Sequence, residues 1–119
     1  IKFRMWDFEN QEMISGDHLA FELYAPLTDL LTQKGIMQCT GLKDKKDNEI
    51  YEGDILAWIT EDKKIRLKNI IVYSHASFNH KWLDKRTAKV RGVTEEAIFG
   101  NVDTGFEIIG NVYENPELV

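Results

Sequence analysis

The chain's apolar residues come in short runs that alternate with polar ones and are cut at close intervals by turn-forming residues. At the start, Ile1, Phe3 and Met5 alternate with Lys2, Arg4 and Trp6. A period of two sends successive side chains to opposite faces, so this segment reads as a strand with one face inward and one outward. Asn10-Gln11 then separates it from the apolar pair Met13-Ile14, as in a hairpin, and Ser15-Gly16-Asp17 forms the next turn.

The same alternation continues downstream. Ile36 to Thr40 reads as a strand that Gly41 breaks. Asp47-Asn48 tolerates positive φ and predicts a tight turn before Ile50-Tyr51, and Glu52-Gly53-Asp54 predicts a second. Ile55 to Thr60 is apolar throughout, as expected of a strand covered on both faces. Ile65–Tyr73, Ser77–Leu83 and Phe106–Tyr113 complete the strands. In the last, Phe106, Ile108 and Val112 share a face, and Gly110 leaves a gap where another backbone can approach.

Helical signals are few. Pro26 can open a helix whose Leu27, Leu30 and Leu31 share a face and which Gly35 closes. Thr94-Glu95-Glu96-Ala97 predicts a second short helix with Thr94 as cap. Asn115-Pro116 opens a final turn. Residues 84–105 otherwise carry no clear pattern. The expected class is mainly β: a compact barrel-like sheet of short strands with one or two short helices, a β-rich α+β arrangement being the alternative.

At 119 residues the chain is expected to form one domain spanning 1–119. Its 43% hydrophobic residues, with six Phe, four Tyr and three Trp, suffice for a packed core. The lone cysteine, Cys39, cannot form an internal disulfide, which points to a reducing compartment. Nothing approaches the roughly 18 apolar residues of a membrane helix, so no membrane association is expected. The first residues also lack the apolar block of a secretion signal, so a cytoplasmic protein is expected.

The net charge of −5 is unevenly spread. Residues 1–60 and 92–119 are acidic, whereas 61–91 holds nine basic residues against three acidic ones.

Three blocks carry a family resemblance. They are Ile1-Lys2-Phe3-Arg4-Met5-Trp6-Asp7, the stretch from Met37-Gln38-Cys39-Thr40-Gly41-Leu42-Lys43-Asp44 to Glu49-Ile50-Tyr51-Glu52-Gly53-Asp54-Ile55, and Ile108-Ile109-Gly110-Asn111-Val112-Tyr113-Glu114-Asn115-Pro116-Glu117-Leu118. In order and spacing the chain resembles the YopX family of phage and prophage proteins over its whole length. It departs from the family pattern at Cys39, where an aromatic is usual, and at Asp47-Asn48, where Asn-Gly is usual. Residues 66–104 match least. The resemblance implies a β-rich barrel-like fold, a homo-oligomer and a bacterial host cell, and it implies no activity. It marks Gly41, Asp44, Glu52, Gly53, Asp54, Gly110, Asn111, Tyr113, Asn115 and Pro116 as turn residues of the family motifs.

Asp44, Glu52 and Asp54 could hold a divalent metal, but acids beside a glycine more often bond nearby amides and organise turns. His18, His75, His80 and Cys39 lack metal-ligand spacing, and Cys39 within a strand reads as a buried thiol. The scattered single glycines form no phosphate loop, so no nucleotide and no other cofactor is expected.

The basic segment is the strongest lead. Lys64, Arg66, Lys68, Lys85, Arg86, Lys89 and Arg91 can track a phosphate backbone, and Trp82 can stack on bases. The plainer reading is a solvated face paired with acidic stretches of this chain or a neighbouring copy. The expected function is a non-enzymatic, self-associating binding module. Nucleic-acid binding through 61–91 is the alternative, and a metal-dependent enzyme using the 44–54 carboxylates is the third.

Overall fold

The structure, a computed structural model, describes residues 2–15, 34–74, 77–92, 95–97 and 105–119, with the backbone alone at 90–91 and 96–97. The chain is mostly strand, in two antiparallel sheets, one of them curled into a half-barrel. It divides into two units, Ile1–Cys39 and Thr40–Val119.

In the first unit, β1 (Phe3–Asp7) lies between β2 (Glu12–Ser15) and the first part of β3 (Ile36–Lys43). Met5 pairs with Ile14 on one side and with Ile36 on the other. The β1–β2 turn is tied by Asp7, whose carboxylate accepts from the amides of Glu9 (3.0 Å) and Asn10 (3.3 Å), while Gln11 takes φ +56°. Within β1, Trp6 is the buried residue, while Phe3 and Met5 are half-buried. The indole offers far more apolar area than a cross-strand Met, so it wins the interior. Gly35, at φ +90°, lets the chain pass close to Trp6: a Cβ there would sit 2.9 Å from the Trp6 carbonyl oxygen. The helix expected over 26–35 lies largely outside the described residues, which show 34–35 as a turn.

In the second unit β3 runs on to Lys43. Gly41 does not break it; the glycine takes φ +83° within the strand, a conformation open to it at little cost. After β4 (Glu49–Tyr51) comes a five-stranded sheet in the order β8-β7-β6-β5-β9. Its strands are β5 (Asp54–Ile59), β6 (Ile65–Ser74), β7 (Ser77–Trp82), β8 (Glu95–Ala97) and β9 (Phe106–Asn111). The interior strand β5 is buried from Asp54 through Ala57, so both its faces are covered there. Register shifts at Ile55/Leu56 against β9 and at Trp58/Ile59 against β6 mark two bulges. Ile50, Leu56 and Ile71 form the core, with Leu42, Phe106 and Ile108 against it. Each fully buried aliphatic is worth about 1.5–3 kcal/mol.

Two local expectations change. The segment 95–97 is a strand, not a helix: it pairs with β7, Lys81 opposite Glu95, and Ser74 Oγ donates to Glu95 Oε2 at 2.7 Å. The one α-helix among the described residues is instead α1 (Lys85–Arg91). The Asp84 carboxylate caps it by accepting from the Arg86 amide at 2.9 Å, and Gly92 closes it at φ +75°. A 3-10 turn, Pro116–Leu118, ends the chain.

Candidate functional site

Several of the family-motif residues fasten turns and loops to the sheet. Asp44 is buried, and its Oδ1 accepts from the amides of Lys46 (3.0 Å) and Asn48 (2.8 Å), which folds the 44–48 loop. Its Oδ2 accepts from the amide of Ile108 at 3.0 Å. Beside this bond, the Lys45 amide donates to the Phe106 carbonyl at 3.0 Å, so the loop covers part of the outer edge of β9. Burial pushes the Asp44 carboxyl up, but the amides of Ile108, Asn48 and Lys46 together hold it below the usual carboxylate range. Glu107 adds a second tie: Lys46 Nζ lies 2.8 Å from it and Lys45 Nζ 3.6 Å. The bond to Lys46 lowers the Glu107 pKa and raises that of Lys46.

The β4–β5 turn is held the same way. Asp54 is buried, and its Oδ2 accepts from the Tyr51 amide at 2.8 Å. Glu52 is half-buried beside it. Gly53, at φ +88°, donates its amide to the Ile71 carbonyl (2.8 Å), and its own carbonyl accepts from Val112 (2.9 Å). Asn111 Oδ1 accepts from the amides of Tyr113 (3.1 Å) and Glu114 (2.8 Å). Asn115 Oδ1 accepts from the Asn111 amide at 3.2 Å. A Cβ at Gly110 would fall 2.5 Å from that Asn115 oxygen, so the close approach at this glycine is by a side chain and not by the backbone expected. Pro116 follows as the first residue of the 3-10 turn. The carboxylates of Asp44 and Asp54 are thus turned toward backbone amides. Among the described residues no three His, Cys, Asp or Glu side chains gather as metal ligands. His80 is buried, with its ring 4.7 Å from that of Trp82, and Cys39 is half-buried.

The basic residues fall in three places. Lys63 and Lys64 sit exposed in the β5–β6 turn, closed by the Thr60 amide donating to the Lys64 carbonyl at 3.1 Å. Arg66 follows; its guanidinium bonds Asp62 at 2.9 Å. The Asp62 carboxyl also accepts from the Thr60 hydroxyl and the Lys64 amide, and these bonds lower its pKa. Lys68 on β6 and Lys81 on β7 lie on one face of the sheet, since Lys81 pairs with Ile70, two residues along β6 from Lys68. Lys85, Arg86 and Lys89 are exposed on α1, which Arg91 ends. The Leu83 amide donates to the Lys68 carbonyl at 3.0 Å, so the helix starts beside the basic end of β6.

Trp82 does not belong to this surface. It is buried on the core side of β7, with its ring 6.5 Å from that of Phe106. The exposed tryptophan is Trp58, in β5 just before the basic turn and 45% exposed. Sequence reasoning passed over it because an apolar run suggested burial on both faces, and the bulge at Trp58/Ile59 ends that burial.

Ion pairing within the segment is sparse. Among the described residues Lys64, Lys68, Lys81, Lys85, Arg86 and Lys89 form no salt bridge. Three acids of the C-terminal stretch are engaged elsewhere: Glu95 by Ser74, Glu107 by Lys45 and Lys46, and Glu114 by Asn111 Nδ2 at 3.0 Å. No helix among the described residues is long and apolar enough to cross a membrane.

No curated protein matches the chain. It is similar in fold to the crystal structure of protein EF1440 from Enterococcus faecalis, with a TM-score of 0.63 and 25% identity over 98% of this chain and 96% of that one. The model of the family described as YopX protein matches residues 2–119. That match takes in the Asp44, Gly53 and Gly110–Pro116 fasteners alike, and the chain belongs to the YopX family.

Proposed function

We propose that this chain is a non-enzymatic binding module, a phage or prophage accessory protein of the bacterial cytoplasm, that holds the phosphate backbone of a nucleic acid with its 61–91 segment. One observation carries the reading: Lys64, Lys68, Lys81, Lys85, Arg86 and Lys89 form no salt bridge among the described residues, while Glu95, Glu107 and Glu114 bond other groups. Unpaired cations favour a polyanion, whose condensed counterions are released on binding. The carboxylates of Asp44 and Asp54 accept from backbone amides, which supports reading these two acids as turn organisers.

The test is an electrophoretic shift assay with single-stranded and duplex DNA and RNA at moderate salt. The wild type is expected to shift, and a Lys64→Ala/Lys85→Ala/Arg86→Ala/Lys89→Ala variant to lose most of the shift. Absence of a wild-type shift, or an unchanged shift in the variant, defeats the proposal.

A second reading, association of copies, is favoured by the exposed acids Glu9, Glu12, Glu61 and Glu117, which can face the basic segment of a neighbour. Assembly of this kind weakens with salt. One mass by light scattering at both about 50 mM and about 1 M salt excludes charge as the glue.

A further inference from the structure

We infer that Trp58 is a stacking platform for a base of single-stranded nucleic acid, beside the cations of the β5–β6 turn. This rests on the reading of the basic segment as a nucleic-acid surface and extends it by naming the strand form bound.

Trp58 lies near the end of β5, paired with Leu67 on one side and Phe106 on the other. On the same face, buried Leu56 and the half-buried Ile108 packed against it show that this face is core further along the strand. At Trp58 the core ends, and a large indole is left 45% exposed. The ring is also held in place. The Gly105 backbone runs alongside it, such that a Cβ there would sit 3.5 Å from both Cδ1 and Nε1 of the indole. A positioned, open aromatic face is what an unstacked base requires, and it costs little further side-chain entropy on binding.

Charge selects the partner. Two residues beyond Trp58 the chain enters a turn that carries Lys63 and Lys64, both exposed, along with exposed Glu61 and an Asp62 whose charge is met by Arg66. Thr60 and Lys64 close that turn, and Lys63 takes φ +63° at its tip. On the returning strand Arg66 is the extra residue of the bulge, since Ile59 pairs with Ile65 and Trp58 with Leu67. An aromatic face beside lysines suits a ligand that alternates flat bases with phosphates. A duplex keeps its bases stacked internally and offers the indole only an end or a groove edge, so the single strand is the fitted form.

The other two tryptophans, Trp6 and Trp82, are 6% and 8% exposed, which makes Trp58 optically separable. The experiment titrates the full chain with an oligothymidylate of about 12 nucleotides, within the site size of single-strand binders, and with a duplex of equal length. Intrinsic fluorescence and affinity are read together. Binding is expected to quench the emission and to favour the single strand. Trp58→Ala is expected to weaken single-strand affinity by about fivefold to a hundredfold, and Trp58→Phe to restore most of it. Because Trp58 is exposed, circular dichroism of both variants is expected to match the wild type. If the wild type binds but Trp58→Ala binds equally well, this inference is overturned and the basic-segment reading stands. If no oligonucleotide binds, both fall.

Discussion

The carboxylate of Asp44 accepts a hydrogen bond from the backbone amide of Ile108 at 3.0 Å, across 64 residues of sequence. One side chain therefore folds its own loop through Lys46 and Asn48 and fastens that loop to the edge of the five-stranded sheet. Removing it leaves three amides without their acceptor. Asp44→Ala is expected to lower stability to urea by about 3 kcal/mol, the scale of losing hydrogen bonds to a buried charged group. Asp44→Asn, which keeps one acceptor oxygen, is expected to lose about half of that. A cost within error of zero for Asp44→Ala would show that the loop closes without it.

The same residue sets an acid response. Its carboxyl titrates below the usual range in the folded chain, because the amide bonds outweigh burial. A group depressed on folding contributes stability that is fully present above its unfolded value, about 3.9 for Asp. That contribution is lost as pH falls through the lower folded value. Urea midpoints measured from pH 7 downward are expected to fall less steeply in Asp44→Asn than in the wild type. Parallel profiles contradict the assignment.

Gly110 and Asn115 form a coupled pair. A Cβ at 110 would lie 2.5 Å from Asn115 Oδ1 and 2.7 Å from its Cγ. Gly110→Ala is expected to cost about 1–3 kcal/mol by overpacking. In an Asn115→Ala background the obstructing amide is gone, so the same change is expected to cost clearly less. Additive losses in this double-mutant cycle would mean that the Cβ meets something else.

Helix α1 links stability to binding. Asp84 accepts from the Arg86 amide and, at 3.1 Å, from the Thr87 hydroxyl. Asp84→Ala is expected to cost about 1 kcal/mol. The variant also loses a negative charge beside the basic helix, which by itself favours an anion. Weaker oligonucleotide binding despite that gain shows that an ordered helix presents Lys85, Arg86 and Lys89; tighter binding shows that charge alone matters.

The strands were legible where a local rule met no competitor. Gly53, Asp7 and Asp47 do what their residue types demand in turns, and 65–74 and 77–82 follow the apolar pattern within a residue. Misreadings came from contacts that no window of sequence contains. Glu95–Ala97 has helix formers but sits opposite Asn79, His80 and Lys81, and ladder bonds with β7 override propensity. The helix at 85–91 was signalled by Asp84 and Gly92, a cap and a stop at matching spacing, in a segment too polar for periodicity to reveal. At the candidate site, the cations could be read as charges in sequence, whereas the exchange of Trp82 for Trp58 depended on a bulge.

The cations of the 61–91 segment that form no salt bridge among the described residues are the centre of the proposed binding surface. Its most direct test is the salt dependence of oligothymidylate affinity for the wild type and for Lys85→Ala/Arg86→Ala/Lys89→Ala. Three lost phosphate contacts are expected to reduce the log–log slope by about two for a single strand. Equal slopes for the two proteins, or a wild-type affinity indifferent to salt, would contradict it.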